Sequence, residues 1–226
     1  MRLSRLITMF GEASDFPDPR TARDDGLVAV GGHLSTDLLL CAYRKGIFPW
    51  SAQPVTWWSP NPRGIIPLDS FHVPRRLARR LRRGEFHLTF NQAFGDVMRG
   101  CAAPAPGREE SWITGPFFRA YDKLHRLAIA HSVEAWKEDR LVGGVYGVAL
   151  GGFFAGESMF HTEANASSAA LVTLLTSLRE AGFVLFDTQM VTPHTAQFGA
   201  VEIPRSDYLD RLEEALRLPV TFPAAG

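Results

Sequence analysis

"LVTLLTSLREAGFVLFDTQ", residues 171–189, changes its apolar period partway along. Leu171, Leu174, Leu175 and Leu178 recur at i, i+3, i+4 and i+7, the spacing of one buried helix face. Asn165 stands ahead of them as the expected N-cap, and Gly182 supplies the stop. "FVLFD" (183–187) then runs apolar without alternation, as a strand covered on both faces does. The chain therefore enters a strand directly from a helix.

Upstream lies the partner for that strand. "HSVEAWKE" (131–138) alternates, Asp139 and Arg140 turn, and "LVGGVYGVAL" (141–150) runs back. Gly151 and Gly152 turn again into "FFAGESMF" (153–160), completing an antiparallel meander. A right-handed crossover through the leucine helix lays 183–187 beside one of the meander strands, in parallel. The fold class expected is α/β, built on a mixed, largely antiparallel sheet. Ligands of such sheets collect outside the carboxyl ends of strands. Asp187 and Gln189 stand there, either as chemistry or, for Asp187, as a cap on the following loop.

The rest of the chain adds a smaller unit in front. Ser35 caps a helix whose Leu38, Leu39, Ala42 and Tyr43 share a face, with Arg44 and Lys45 at its end and Gly46 to stop it. The proline-punctuated "SPNPRG" (59–64) is the expected boundary, giving a small N-terminal α+β domain over 1–62 and the main domain over 63–226. A strand near Ile65–Pro67 follows. In "HVPRRLARRLRRGEF" (72–86), Leu77 and Leu81 make the one apolar ridge, and Arg75, Arg76, Arg79, Arg80, Arg82 and Arg83 cover the remainder. "FHLTF" (86–90) alternates as a strand, Asn91 is placed to cap a short helix, and a helical pattern follows Trp112. Tyr208, Leu209, Leu212 and Leu216 mark a last helix.

Composition narrows the function. Lys and Arg number 24 and Asp and Glu 24, so nothing global draws nucleic acid, and the arginine run is the one local patch that does. A basic run is a solvated face by default; clustered on one helix, it also serves as a phosphate track. Two cysteines give neither a disulfide framework nor zinc spacing, which reads as reduced thiols in the cytoplasm. "MRLSRLITMF" is too short in apolar residues for a signal-peptide core, and no stretch reaches the ~18 apolar residues of a membrane span.

"GIFPWS", "WWSPNPRGI", "SWIT", "HSVEAW", "LVGGVYGVALGGFFAGESMF", "NASSAAL" and "FDTQMVTPHTAQFGAVEIPR" together resemble the leucyl/phenylalanyl-tRNA–protein transferases, in order over roughly residues 16–215. The resemblance implies an acyltransferase domain of the GNAT type. It implies transfer of leucine or phenylalanine, with methionine as a further donor, from aminoacyl-tRNA to a protein that begins with arginine or lysine. That peptide bond marks the acceptor for N-terminal degradation. It also implies a cytoplasmic, membrane-free monomer that needs no cofactor and no metal.

Residue by residue, the resemblance makes Asp187 and Gln189 the catalytic pair and places Glu157 at the acceptor site. Trp50 and Trp112 flank the 3′-terminal adenosine, where stacking on an exposed base is worth ~1–3 kcal/mol. Val145, Phe154, Met159, Leu174 and Phe186 surround the transferred side chain, although each taken alone reads more readily as core. The chain departs from the family at His33, where an acidic residue is usual, and at Val145 and Leu174, which change pocket size and bear on the choice of donor. His194 has a ring suited to base work but reads more simply as structural. A coenzyme A–dependent acetyltransferase is the rival reading. "FHTEANASSAA" (160–170) lacks the glycines that would cradle its pyrophosphate. A non-enzymatic RNA-binding module is the other, and it leaves Asp187, Gln189 and Glu157 without work.

Overall fold

The computed structural model describes residues 16–104 and 111–223. Residues 1–15, the "APGREE" segment (105–110) and the last three residues lie outside the described residues. After a short 3₁₀ turn at Pro19–Thr21 come β1 (Leu27–Val30), α1 (Thr36–Arg44), β2 (Phe48–Ala52) and β3 (Val55–Trp58). The three strands form a small antiparallel sheet in the order β1-β3-β2. Ser35 caps α1 as its residue type demands, its hydroxyl accepting from the Leu38 amide at 3.3 Å.

The second sheet has seven strands. Its members are β4 (Arg63–Ile66), β5 (His87–Phe90), β6 (Ala130–Lys137), β7 (Arg140–Leu150), β8 (Phe153–His161), β9 (Leu185–Gln189) and β10 (Val201–Ile203). Between them run α2 (Arg75–Arg82), α3 (Phe94–Ala102), α4 (Gly115–Arg126), α5 (Ala166–Glu180), α6 (Pro193–Ala196) and, last, α7 (Arg205–Leu216). The order is β10-β4-β9-β8-β7-β6-β5. The meander is present as expected, and the crossover through α5 lays β9 parallel to β8, the one parallel pair among the described residues. All four leucines of α5 are buried.

The ladder between β8 and β9 is short. Phe153, Phe154 and Ala155 pair with Leu185, Phe186 and Asp187, and beyond that the two strands part. Opposite, β7 and β8 pair along nearly their full length, with an irregularity between Tyr146 and Gly147. A Cβ on Gly147 would lie 2.1 Å from the Ala155 carbonyl oxygen, so glycine is obligatory at that bulge.

Three expectations shift. The apolar run at 183–187 is not a strand buried on both faces: Val184 is 55% exposed and the strand is Leu185–Gln189, which brings Asp187 inside it. Asn165 occupies the N-cap position of α5 but sits at φ 70 with no side-chain cap bond. Asn91 does not cap α3, which begins after Ala93; its Oδ1 accepts instead from the Ser132 amide at 3.1 Å. One apolar cluster includes Leu38, Tyr43 and Trp57 from the small unit and Tyr146, Tyr208 and Leu212 from the large one, so core packing runs continuously past "SPNPRG".

Candidate active site

At the end of the short ladder lies a buried ion pair. Arg63, 1% exposed, donates from Nε to Asp187 Oδ1 at 2.9 Å and from Nη2 to Oδ2 at 2.6 Å, a two-pronged grip on a carboxylate that is itself 1% exposed. The Tyr208 hydroxyl adds a bond to Oδ2 at 2.9 Å, and the Gln189 amide one to Oδ1 at 2.8 Å. Arg63 also donates to the Gly46 carbonyl at 3.0 Å and lies between the rings of Tyr208 and Phe48. Burial alone would weaken this guanidinium's hold on its proton, but Asp187, joined by Tyr208 and Glu157, offsets that and raises its pKa. Asp187 thus has its lone pairs engaged on protein groups.

The Gln189 backbone is held at φ 59, a left-handed conformation that a non-glycine residue adopts only under constraint. The bond from its amide to Asp187 supplies part of that constraint. Gly64 supplies another, because a Cβ there would lie 2.6 Å from the Met190 carbonyl carbon. The strand end can therefore fold tightly over β4.

Glu157 lies on β8 just past the point of parting. The Tyr43 hydroxyl of α1 donates to its Oε1 at 2.7 Å, and the Tyr121 hydroxyl of α4 lies 3.2 Å from Oε2. The two tyrosines also hydrogen-bond each other. Burial pushes the Glu157 carboxyl up to about 7, against the pull of the two hydroxyls; Asp187 adds to the rise and Arg63 opposes it.

Two cavities open onto this junction. The larger, about 340 Å³, is walled by Ile66, Val145, Met159, Leu171 and Phe186, with Ser167, His161 and His194 adding polar groups. The smaller, about 120 Å³, is walled by Phe48, Pro49, Trp50 and Trp112. Glu157, Gln189 and Met190 border both. Trp50 is 37% exposed and meets Trp58 edge to face at 5.5 Å; Trp112 meets Phe117 in the same way at 4.9 Å.

The residues singled out from sequence divide accordingly. Gln189, Glu157, Trp50, Trp112, Val145, Met159 and Phe186 come together around the two cavities. Phe154 and Leu174 do not reach the cavity wall: each is 1% exposed, and Phe154 stacks on Phe186 at 5.6 Å. His194 lines the larger cavity, with Nε2 buried and lacking a hydrogen-bond partner among the described residues, and burial lowers its pKa. Arg75, Arg76, Arg79, Arg82 and Arg83 lie on and beside α2 with their charged ends unpaired by any described carboxylate, whereas Arg80 pairs with Glu85 and donates to the Ala164 carbonyl. His33 is exposed in the loop before α1. Sequence reasoning missed Arg63, Tyr43, Tyr121 and Tyr208. Arg63 stands within "WWSPNPRGI", where its proline neighbours read as loop and hide a buried cation.

A mixed α/β sheet that parts to form two adjoining compartments, one apolar and one walled by tryptophan, defines a cleft for two chemically different groups. Residues 65–213 match the family model described as leucyl/phenylalanyl-tRNA protein transferase, and residues 32–61 match that of its N-terminal domain. The chain belongs to the leucyl/phenylalanyl-tRNA–protein transferase family. Relatives bearing that description include one from Nitratidesulfovibrio vulgaris strain DP4, 50% identical over 95% of this chain and 93% of its own length. Another, from Thiobacillus denitrificans, is 50% identical over 93% of this chain and 94% of its own. Among solved structures, L-PGS from Bacillus licheniformis overlays with a TM-score of 0.44 at 14% identity, over 70% of this chain and 52% of that one, too loose a likeness to argue from.

Proposed function

We propose that this protein transfers leucine or phenylalanine, with methionine as a third donor, from aminoacyl-tRNA to the α-amino group of proteins that begin with arginine or lysine. The observation that carries the reading is the meeting of the two cavities at Glu157 and Gln189. An aminoacyl ester has an apolar side chain on one side and an adenosine on the other. The larger cavity suits the first and the tryptophan-walled one the second, which leaves the ester carbonyl at the junction.

The chemistry asks little of the protein. An α-amino group titrates near ~8, so an appreciable fraction is neutral at cytoplasmic pH. The new C–N bond forms as the ester C–O bond breaks, and the amine's proton ends on the departing ribose oxygen. Holding amine against ester is the main contribution, on the order of 7–11 kcal/mol in ideal cases. Gln189, whose amide carbonyl is too weak a base to keep a proton, orients the amine. Asp187 acts one step back, as a positioning residue that fixes the Gln189 backbone. Glu157 faces the acceptor's cationic first residue.

The same reading treats residues 1–62 and 63–226 as two units and the main unit as GNAT-like, a view supported by the separate small sheet and by the parallel pair joined through α5. It places the protein in the cytoplasm as a monomer whose product is marked for N-terminal degradation. Among the described residues, no helix is long and apolar enough to cross a membrane.

The direct test incubates the protein with labelled leucyl-, phenylalanyl- and methionyl-tRNA and a peptide beginning with arginine. Label should pass to the peptide from all three and remain on an alanyl-tRNA control; no transfer from any donor refutes the reading. Two variants probe the RNA side. Trp112→Ala should raise donor KM by about 10- to 100-fold, the loss of one base–aromatic stack of ~1–3 kcal/mol, with kcat at saturation little changed. Reversing Arg76 and Arg79 to Glu should weaken tRNA binding and flatten the plot of log affinity against log salt by about 0.9 for each phosphate no longer neutralised. An unchanged slope would take α2 off the RNA.

A further inference from the structure

The tail that follows α7 passes from one face of the large sheet to the other. Tyr208 and Leu212 of α7 belong to the apolar cluster that holds Trp57, whereas Phe222 packs on the cluster that holds the leucines of α5. Between them the tail rounds the sheet at two glycines. A Cβ on Gly152, in the turn from β7 to β8, would lie 2.8 Å from Leu218, and one on Gly182, after α5, would lie 3.5 Å from Val220.

On the α5 face Phe222 joins a row of rings that ends at the larger cavity. It lies face to face on His131 at 3.9 Å, and the Phe90 ring meets it edge-on at 6.1 Å. It also meets Phe154 at 5.8 Å, and Phe154 stacks in turn on Phe186 at 5.6 Å, within 11° of parallel. Of these rings, Phe186 alone forms part of the cavity wall.

His131 is a fixed base for the row. The Asn91 side-chain oxygen accepts from the Ser132 amide, so its NH₂ faces His131 Nδ1, at 3.2 Å. Nε2 therefore carries the hydrogen and donates to the Ala128 carbonyl at 3.1 Å. With both nitrogens engaged, the imidazole is held in one orientation. The two inner rings rest on backbone. A Cβ on Gly147 would lie 2.4 Å from the Phe154 ring, and one on Gly156 would lie 3.0 Å from the Phe186 ring. Neither ring has room to sink toward the strands, which leaves movement along the row.

We propose that Phe222 is a positioning residue for donor choice: seated on His131, it holds Phe154 against Phe186 and thereby limits the room for the transferred side chain. Phe222 itself touches no substrate. Close-packed rings pass on a displacement because no void between them absorbs it. This rests on the donor reading of the larger cavity given above and adds to it a determinant that lies outside the cavity wall.

Two variants push the row in opposite senses. Phe222→Ala opens space behind Phe154, into which the neighbouring rings relax in part. The cavity deepens, and kcat/KM for phenylalanyl-tRNA relative to leucyl-tRNA should rise about 5-fold, a fraction of the roughly 10- to 200-fold that room for a whole methylene is worth. Phe222→Trp adds bulk at the same point, drives the row forward and should lower that ratio by a similar factor. Phe222→Leu refills most of the space and should stay within about 2-fold of the wild-type ratio. Acceptor KM should hold in all three. A loss of stability alone scales both donors together and does not change sign between a smaller and a larger residue. Equal ratios in Phe222→Ala and Phe222→Trp therefore overturn the proposal; should Phe222→Ala not fold, equal ratios in Phe222→Trp and Phe222→Leu do so. Should the wild type transfer neither amino acid, the donor reading falls, and methyl NMR then judges the row. Val145 and Met159, paired across β7 and β8 in the cavity wall, should shift in Phe222→Ala while Leu38 in the other cluster stays in place. Unmoved Val145 and Met159 signals overturn the proposal.

Discussion

Arg63→Ala is expected to leave the protein about 3–5 kcal/mol less stable, or unfolded, as measured by denaturant melts at neutral pH. The magnitude follows from what remains behind. Asp187 would be a carboxylate 1% exposed with its two-pronged partner gone and only Tyr208 and one backbone amide to solvate it. Gly46 would lose a donor to its carbonyl, and the aromatic rings of Phe48 and Tyr208 would face an empty slot. Asp187→Ala should do comparable damage by stranding the guanidinium. Because each single change orphans the same pair, Arg63→Met/Asp187→Leu should cost clearly less than the two alanine variants summed. Additive losses would mean that the ion pair is incidental to the stability of this corner. The practical consequence concerns interpretation: loss of transfer in an Asp187 variant is evidence about catalysis only after its melting curve has been recorded.

Gln189→Ala gives the cleaner catalytic result. The side chain is half-buried, borders both cavities and makes no side-chain hydrogen bond to any described residue. Its removal strands no buried partner. Turnover should fall on the order of 100-fold, the size of effect that follows when a reacting group is misplaced by about an ångström. Donor KM and melting temperature should stay near wild type, because the tryptophans, the apolar cavity and the Asp187–Arg63 pair are untouched. A variant with full turnover would remove the amide from the reaction and leave the backbone of β9 as the sole feature at that point. Gln189→Glu is informative beside it: a carboxylate at the same position tests whether orientation suffices or whether added basicity speeds the attack.

Much of the architecture could be read from the chain because it depends on period. Four leucines at helical spacing and three alternating runs separated by glycine or acidic turns specify a helix and a meander whatever else surrounds them. The strand at 185–189 was harder, since Phe183 and Val184 look like strand residues, yet the turn after Gly182 takes them up and pushes Asp187 inward. Capping by Asn91 and Asn165 failed for a related reason: tertiary hydrogen bonding and a left-handed backbone override the local preference. At the site, Gln189 was visible by its place at a strand end, and Glu157, which lies within β8, only through the family resemblance. Arg63 was not, because a buried arginine has no local signature; its burial depends on a carboxylate far along the chain and on two aromatic faces. Tyr43 and Tyr121 looked like ordinary members of apolar helix faces, which they also are. Only three dimensions show that their hydroxyls converge.

Three residue pairs join β8 to β9 before the strands diverge, and this brevity has a consequence for where the cleft lies. Beyond Ala155, β8 keeps its pairing with β7 but has no register with β9 among the described residues. The gap so left lies where Glu157 and Gln189 border both cavities, so the point at which the ladder stops fixes where the cleft opens.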